Sequence, residues 1–150
     1  MIYEVKRNNS NSLYDFFVNK GYSKSKDEFD VELFDLKENG ENKYITSKTF
    51  VAEENNKVVA FIQYGRTKDN KGLIRLIYSE VNYESIAKSL MFKATAYFYM
   101  FHIFDIEIFV EQFKIGNNYE GVIRYPNIEN LRNNNLFNLL KTFKVLNLSF

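Results

Sequence analysis

The feature that most limits what this chain can fold into is the stretch from Gly72 to Val110. An apolar strand, Leu73 to Tyr78, meets a polar turn at Ser79 to Asn82, then a long helix from Tyr83 to His102, then a second strand from Phe104 to Val110. Ile86, Leu90, Ala94, Tyr97, Phe98 and Phe101 fall along one side of the helix, which predicts that this side lies on a sheet. At about 1.5 Å per residue the helix would be roughly 30 Å long, enough to cross a small domain. The strand after it alternates Phe104, Ile106, Ile108 and Val110 with Asp105 and Glu107, a pattern with one wet face. A strand running into a helix N-terminus gathers backbone N–H groups at one point, and such a point can hold an anion such as a phosphate.

The rest of the chain reads as elements around this unit. Ile2 to Lys6 alternates like a first strand, and Ser12-Leu-Tyr-Asp15 is a capping arrangement ahead of Leu13, Phe16 and Phe17, with Gly21 as the stop. Ser25-Lys-Asp-Glu28 is a capping box for a second helix, with Phe29, Leu33 and Leu36 on one face and Gly40 closing it. Its other face carries Glu28, Glu32 and Asp35, read as solvated charge. Thr49 to Glu53 and Val58 to Tyr64 flank Glu54-Asn55-Asn56-Lys57, and paired Asn residues accept the positive φ of a tight hairpin turn. Gly65 to Gly72 is a polar loop into the third strand of the meander.

Beyond Val110 the pattern offers a turn at Gly116-Asn117-Asn118 and a short strand at Val122 to Tyr125. A helix then starts near Pro126-Asn127, with Ile128, Leu131, Leu136, Leu139, Leu140 and Phe143 on one face, and Leu146, Leu148 and Phe150 make a final strand. The order is strand, two helices, three-stranded meander, helix, strand, helix, strand: a mixed α/β layer structure in a single domain over residues 1–150.

Composition narrows the chemistry. The absence of Cys removes disulfides, thiolate metal sites and Cys nucleophiles, and His102 is the only histidine, so no metal site is expected. Twenty basic residues against 19 acidic ones leave a net charge of +1, which speaks against nucleic acid or an anionic membrane as partner. No apolar run approaches the roughly 20 residues of a membrane span, and Met1 to Lys6 lacks the form of a signal peptide, so a soluble cytoplasmic protein is expected.

In its element order the chain resembles the GCN5-related N-acetyltransferase family, and the likeness covers nearly all of it. That family's turn between the fourth strand and the third helix carries the pattern Gln/Arg-x-x-Gly-x-Gly/Ala, whose backbone amides hold the pyrophosphate of acetyl-coenzyme A. Here Asn82-Tyr83-Glu84-Ser85-Ile86-Ala87 occupies that place: Ala87 fits, Asn82 is polar, and Ser85 stands at the glycine. The resemblance implies an acyl-CoA N-acyltransferase fold, α/β with a mostly antiparallel central sheet and helices on both faces. It implies acetyl-coenzyme A bound by Ile77, Tyr78, Asn82, Ser85, Ile86 and Ala87, its pantetheine arm entering between two splayed strands.

It further implies a backbone N–H near Tyr78 polarising the thioester carbonyl, and Glu80 removing a proton from the acceptor. A tyrosine protonating the departing thiolate falls to Tyr119 or Tyr125, which no motif separates. The acceptor would be a primary amine on a small molecule or peptide. The family commonly has a seventh strand beyond the sixth, so the last strand here would present an edge that a second copy could cover, giving a homodimer. The other readings are a catalytically inactive member of the fold acting as a regulatory or protein-interaction module, and an α/β interaction domain with an aromatic partner surface.

Overall fold

The strand Gly72–Ser79 sits in the middle of the molecule because nearly every residue of it is apolar, so it can be buried on both faces and paired on both edges. A computed structural model describes residues 1–35, 37–38, 41–42, 46–80, 82–103, 106–109 and 122–125. In chain order the elements are β1 (Ile2–Glu4), α1 (Asn11–Asn19), α2 (Lys26–Phe34), β2 (Lys37–Glu38), β3 (Glu41–Asn42), β4 (Thr46–Glu54), β5 (Lys57–Arg66), β6 (Gly72–Ser79), α3 (Glu84–Met100), β7 (Ile106–Phe109) and β8 (Val122–Tyr125). Among the described residues six strands form one sheet in the order β1-β4-β5-β6-β7-β8, and β2 pairs with β3 in a second, two-stranded sheet. Each contact in the large sheet is antiparallel except β6 with β7, and a parallel pair needs a crossover, which α3 supplies.

Two aromatic-rich layers cover the sheet. On one face Ala87, Leu90, Met91, Ala94, Tyr97 and Phe98 of α3 pack on Ala52, Ile62, Tyr64, Ile74 and Ile77. On the other, Leu13, Phe16 and Phe17 of α1 and Phe29 and Leu33 of α2 pack on Val51, Phe61, Leu76 and Tyr78. The stripe of α3 that touches the sheet is rotated slightly from the sequence expectation: Ala87 and Met91 are buried, while Ile86 and Phe101 are its half-buried margin.

Local signals fix several boundaries as expected. Asn55 and Asn56 have φ of 53° and 63° and form the two-residue turn of the β4–β5 hairpin. Ser25 Oγ accepts from the Glu28 N–H at 3.2 Å, capping α2. Gly21, at φ 106°, ends α1 in a Schellman arrangement: its N–H donates to Val18 and the Tyr22 N–H donates back to Phe17. The Val122–Tyr125 strand forms where the sequence places it.

Two helix boundaries and one added element differ from expectation. α1 starts at Asn11 behind Ser10, not behind Ser12, and the Ser10 hydroxyl makes no cap; it donates to the Asp30 carboxylate at 2.8 Å, tying α1 to α2. α2 ends at Phe34, well before Gly40, where the buried Gln63 side chain donates to the Leu33 carbonyl at 2.8 Å and so satisfies one of the carbonyls that a helix end leaves open. The small β2–β3 hairpin was not anticipated. The acidic face of α2 is engaged at the surface, with Glu32 held by Lys24 and Asp35 by Arg7. Leu36, the turn at Gly116 to Asn118, the helix after Pro126, the final strand and the edge expected to dimerise lie outside the described residues.

Candidate active site

The site grows out of an irregularity in β6. Gln63 of β5 faces Leu76, but the next residue, Tyr64, faces Ile74, so Arg75 is an extra residue in the ladder. The bulge changes the phase of the strand. Ile74 and Ile77 face α3, whereas Leu76 and Tyr78 face α1 and α2. Without it Ile74 and Leu76 would share a face. The same alternation sends Glu80, two residues beyond Tyr78, towards α1.

A second bulge lies on the other edge of β5, level with the end of β6. Ala52 of β4 faces Ala60 and Glu53 faces Val58, leaving Val59 as the extra residue of β5. The Val59 carbonyl accepts the Glu80 N–H at 2.8 Å, so the backbone of Glu80 is held just past the end of β6.

That bond also sets the parity of the β5–β6 ladder. In an antiparallel pair, residues alternate between those that bond across to the partner and those whose N–H and C=O point the other way. Glu80 with Val59 is a bonded pair, so Tyr78 with Phe61, two residues on in each strand, is another. The N–H groups of Ile77 and Ser79 therefore point away from β5, towards the β7 side. There β7 pairs with β6 only from Gly72 to Ile74, opposite Ile106 to Ile108, and Leu76 to Ser79 have no partner strand on that side among the described residues. The outward donors near Tyr78 are thus those of its two neighbours.

The turn after β6 closes with the Tyr83 N–H donating to the Glu80 carbonyl at 3.2 Å. Tyr83 is the N-cap of α3 and makes no side-chain cap, so the first-turn N–H groups of Glu84, Ser85 and Ile86 keep no helical partner and no capping oxygen. Asn82 and Ser85 are exposed, Ile86 is half-buried, and Ala87 is fully buried against the sheet, where a larger side chain would have no room.

On the α1 face a cleft of about 310 Å³ lies between α1 and the β4–β5 hairpin. Its floor includes Phe16 and Val58, and half-buried Glu80 lines it together with Asp15, Lys20 and Lys57. Beside it the Tyr78 ring packs at 5.0 Å on Phe16 and at 5.4 Å on Phe61. Burial raises the Tyr78 hydroxyl above its ordinary value of 10, and the negative Glu80 nearby adds to the effect.

The structure thus brings together Ile77, Tyr78, Glu80, Asn82, Ser85, Ile86 and Ala87 at one end of β6. Tyr125 is not among them. It faces Ile106, which faces Gly72, at the opposite end of β6 from Glu80, on the order of 20 to 25 Å away at the rise of a strand. Tyr119 lies outside the described residues. Sequence reasoning missed the roles of Ser79, whose backbone donor faces the open side, and of Asp15, Lys20 and Lys57, which only the α1–hairpin contact brings to Glu80. Among the described residues no helix is long and apolar enough to cross a membrane.

No protein-family model matches the sequence, and no curated protein matches it significantly. Solved structures do resemble it. An N-acetyltransferase from Staphylococcus aureus is 18% identical, with 86% of this chain and 97% of that one covered at a TM-score of 0.54. A probable acetyltransferase from Staphylococcus epidermidis is 14% identical, with 83% and 96% covered at 0.56. An acetyltransferase of the GNAT family from Staphylococcus aureus is 20% identical, with 72% of each chain covered at 0.51. Identity at this level carries architecture and leaves chemistry to the residues of the site. With a six-stranded sheet, one parallel pair and helices on both faces among the described residues, the chain has the fold of the GCN5-related N-acetyltransferases.

Proposed function

We propose that this protein transfers an acetyl group from acetyl-coenzyme A to a primary amine of a small molecule or peptide. The observation that carries this reading is the edge of β6 from Leu76 to Ser79: the Ile77 and Ser79 N–H groups face a side where no strand pairs with it among the described residues, beside the uncapped start of α3. The donor set fits the group. An extended arm rich in amides can take the place of a missing strand, and a pyrophosphate suits free N–H groups at a helix N-terminus.

When bound, acetyl-coenzyme A supplies an activated acyl thioester. The outward N–H groups of Ile77 and Ser79 are the donors available to a carbonyl oxygen that gains negative charge as the amine nitrogen bonds to the acyl carbon. Glu80, on the α1 face of the same strand end, accepts the proton that the ammonium must lose before it can attack, directly or through water. The carbon–sulfur bond breaks as the amide forms, and the thiolate leaves with the second proton, which the attacking nitrogen sheds. Asn82, Ser85 and Ile86 hold the phosphate end, and Ala87 lets α3 seat closely on the sheet.

Calorimetric titration with acetyl-coenzyme A tests the reading: saturable binding is expected, and no detectable heat at millimolar ligand would overturn it. One observation favours a second reading, a non-catalytic regulatory or interaction module. Ser85 puts a side chain on the first turn of α3 where the family pattern has glycine, obstructing close approach of a phosphate to the backbone. Ser85→Gly is expected to tighten acetyl-coenzyme A binding. Unchanged or weaker affinity would move the phosphate site elsewhere.

A further inference from the structure

We propose that the α3 side of β4 is a docking surface for an acidic, extended segment of a partner protein, held by Lys48, Arg66 and Lys93. This surface lies across the sheet from the cleft of Glu80, and its role is independent of the acetyl-transfer reading.

The surface is built on a chain of rings. The Phe50 ring stacks on Tyr64 at 6.2 Å, Tyr64 meets Tyr97 at 5.2 Å, and Tyr97 meets Phe101 at 4.8 Å. Tyr64 and Tyr97 are buried in the middle, and Phe50 and Phe101 are half-buried at the two ends. Each end carries a cation over its ring: the Lys93 ammonium lies 4.7 Å from the centre of Phe50, and the Arg66 guanidinium 4.3 Å from that of Phe101. Exposed Lys48 stands between them on β4, opposite Tyr64, with Phe50 on one side and Thr46, which faces Arg66, on the other. Helix α3 crosses β5 and β6, so among the described residues no helix covers this part of β4.

The three cations are uncompensated. Among the described residues none of them makes an ion pair or a side-chain hydrogen bond, and Arg66 Nε is buried without an acceptor. Glu4, which faces Phe50 from β1, is already held by Lys6 at 2.7 Å. The adjoining turn adds Lys68 and Lys71 against Asp69, and Asn70 fixes that turn beside Arg66 by donating to the Phe101 carbonyl at 3.3 Å. Positive charge therefore collects here in a chain whose net charge is only +1.

Charge complementarity selects the occupant, since carboxylates are what these cations lack. An exposed ion pair contributes little alone, so an occupant must engage several together. A segment running along β4 with carboxylates spaced along it does so, and a single small acid does not. Holding Lys93 and Arg66 over rings lowers the entropy that pairing costs. A nucleic acid is served less well, because single strands are held by bases stacked on aromatic faces, and Phe50 and Phe101 already carry a cation and a neighbouring ring.

The test titrates the intact protein with a fluorescent peptide of alternating Glu and Ser, read by anisotropy. A peptide of alternating Gln and Ser and an oligothymidylate with the charge of the Glu peptide serve as comparisons. The Glu peptide is expected to bind saturably, to weaken as salt is raised, and to bind about tenfold or more tightly than either comparison. Lys48→Gln with Lys93→Gln is expected to weaken it about tenfold, whereas Lys20→Gln with Lys57→Gln, the same change of charge at the cleft on the α1 face, leaves it unaltered. An unchanged circular dichroism spectrum verifies that both variants fold. No saturable binding, equal or tighter binding of the oligothymidylate, or the same loss in both variants would overturn the proposal. Self-association in sedimentation that the Lys48, Lys93 variant abolishes would also overturn it, by making the occupant a second copy of this chain.

Discussion

Between Gly72 and Ile74, β6 lies between two strands, with β5 on one side and β7 on the other; from Leu76 to Ser79 it keeps β5 but has no described partner on the β7 side. The first half is built like a core strand, with Leu73 and Ile74 fully buried and backbone groups used on both edges. The second half is equally buried by its side chains, yet leaves donors facing outward at Ile77 and Ser79. The two halves share composition and differ in what their backbones are free to do. Arg75, the extra residue, marks the join.

This contrast can be broken most sharply at Glu80. Glu80→Gln is expected to lower kcat/KM for acetyl transfer by about 10² to 10⁴, read as release of coenzyme A thiol. Its stability to urea is expected to stay within about 0.5 kcal/mol of the parent. A large loss of stability would make Glu80 a structural residue and erase the distinction. At the paired end the expectation inverts: Ile74→Ala is expected to remove about 2 to 5 kcal/mol of stability by urea denaturation, because it opens a cavity against α3. Acetyl-coenzyme A affinity of the protein that remains folded should be unchanged, and a parallel loss of affinity would show that the halves are not independent.

Gln63 tests what holds the join. It faces Leu76 beside the extra residue, is fully buried, and donates at 2.8 Å both to the Leu33 carbonyl and to Thr49 Oγ1. Gln63→Ala leaves those acceptors unpaired and is expected to destabilise by about 1 to 3 kcal/mol in the same assay. No measurable effect would mean that the end of α2 is anchored by its apolar contacts alone.

Alkaline pH reaches both halves through tyrosine. Tyr64, opposite Ile74, is raised above 10 by burial and then by the charge of Glu4 and by Tyr97, and Tyr78 is raised by burial and Glu80. A raised pKa means that the fold holds the proton more tightly than the unfolded chain does. Their contribution is therefore complete below about 10, the unfolded value, and is lost as pH rises through the folded values. Denaturation midpoints measured from pH 8 to 11 should fall, and Tyr64→Phe should flatten the fall; an unaltered slope would place the titrating groups elsewhere.

The smallest effect is expected at His102. It sits at φ 54° just past α3, its N–H donates to Tyr99, and the Ile103 N–H donates back to Phe98, an arrangement that suits glycine. His102→Gly should relieve left-handed strain and raise stability by about 0.5 to 1 kcal/mol in thermal melts, leaving the open end untouched.

The fold was legible where a residue acts locally. Asn55-Asn56 specified the hairpin turn, Ser25 the start of α2, Gly21 the end of α1, and the apolar face of α3 its side on the sheet. What escaped depends on distant partners. The end of α2 is decided by Gln63, 30 residues away along the chain, which no local pattern at Leu33 reveals. Nothing in Leu73-Ile-Arg-Leu-Ile-Tyr78 announces that Arg75 is an extra residue, since an apolar strand buried on both faces has no alternation to break. The site was legible in part for the same reason. The turn from Glu80 to Ala87 is contiguous and could be read, whereas Lys20, Lys57 and Asp15 join Glu80 only through tertiary contact.

The extra residue in β6 also bears on how this chain can change over time. Because Gln63 and Tyr64 are neighbours and face Leu76 and Ile74, loss of Arg75 alone would close the ladder into regular alternation and leave Leu76, Tyr78 and Glu80 on the faces they already occupy. Both the identity of residue 75 and its presence can therefore drift without moving the core. The even spacing from Leu76 to Glu80 has no such slack, since one residue more or fewer there would turn Glu80 away from the cleft. Descendants of this sequence should therefore keep the spacing from Leu76 to Glu80 while gaining or losing a residue at position 75.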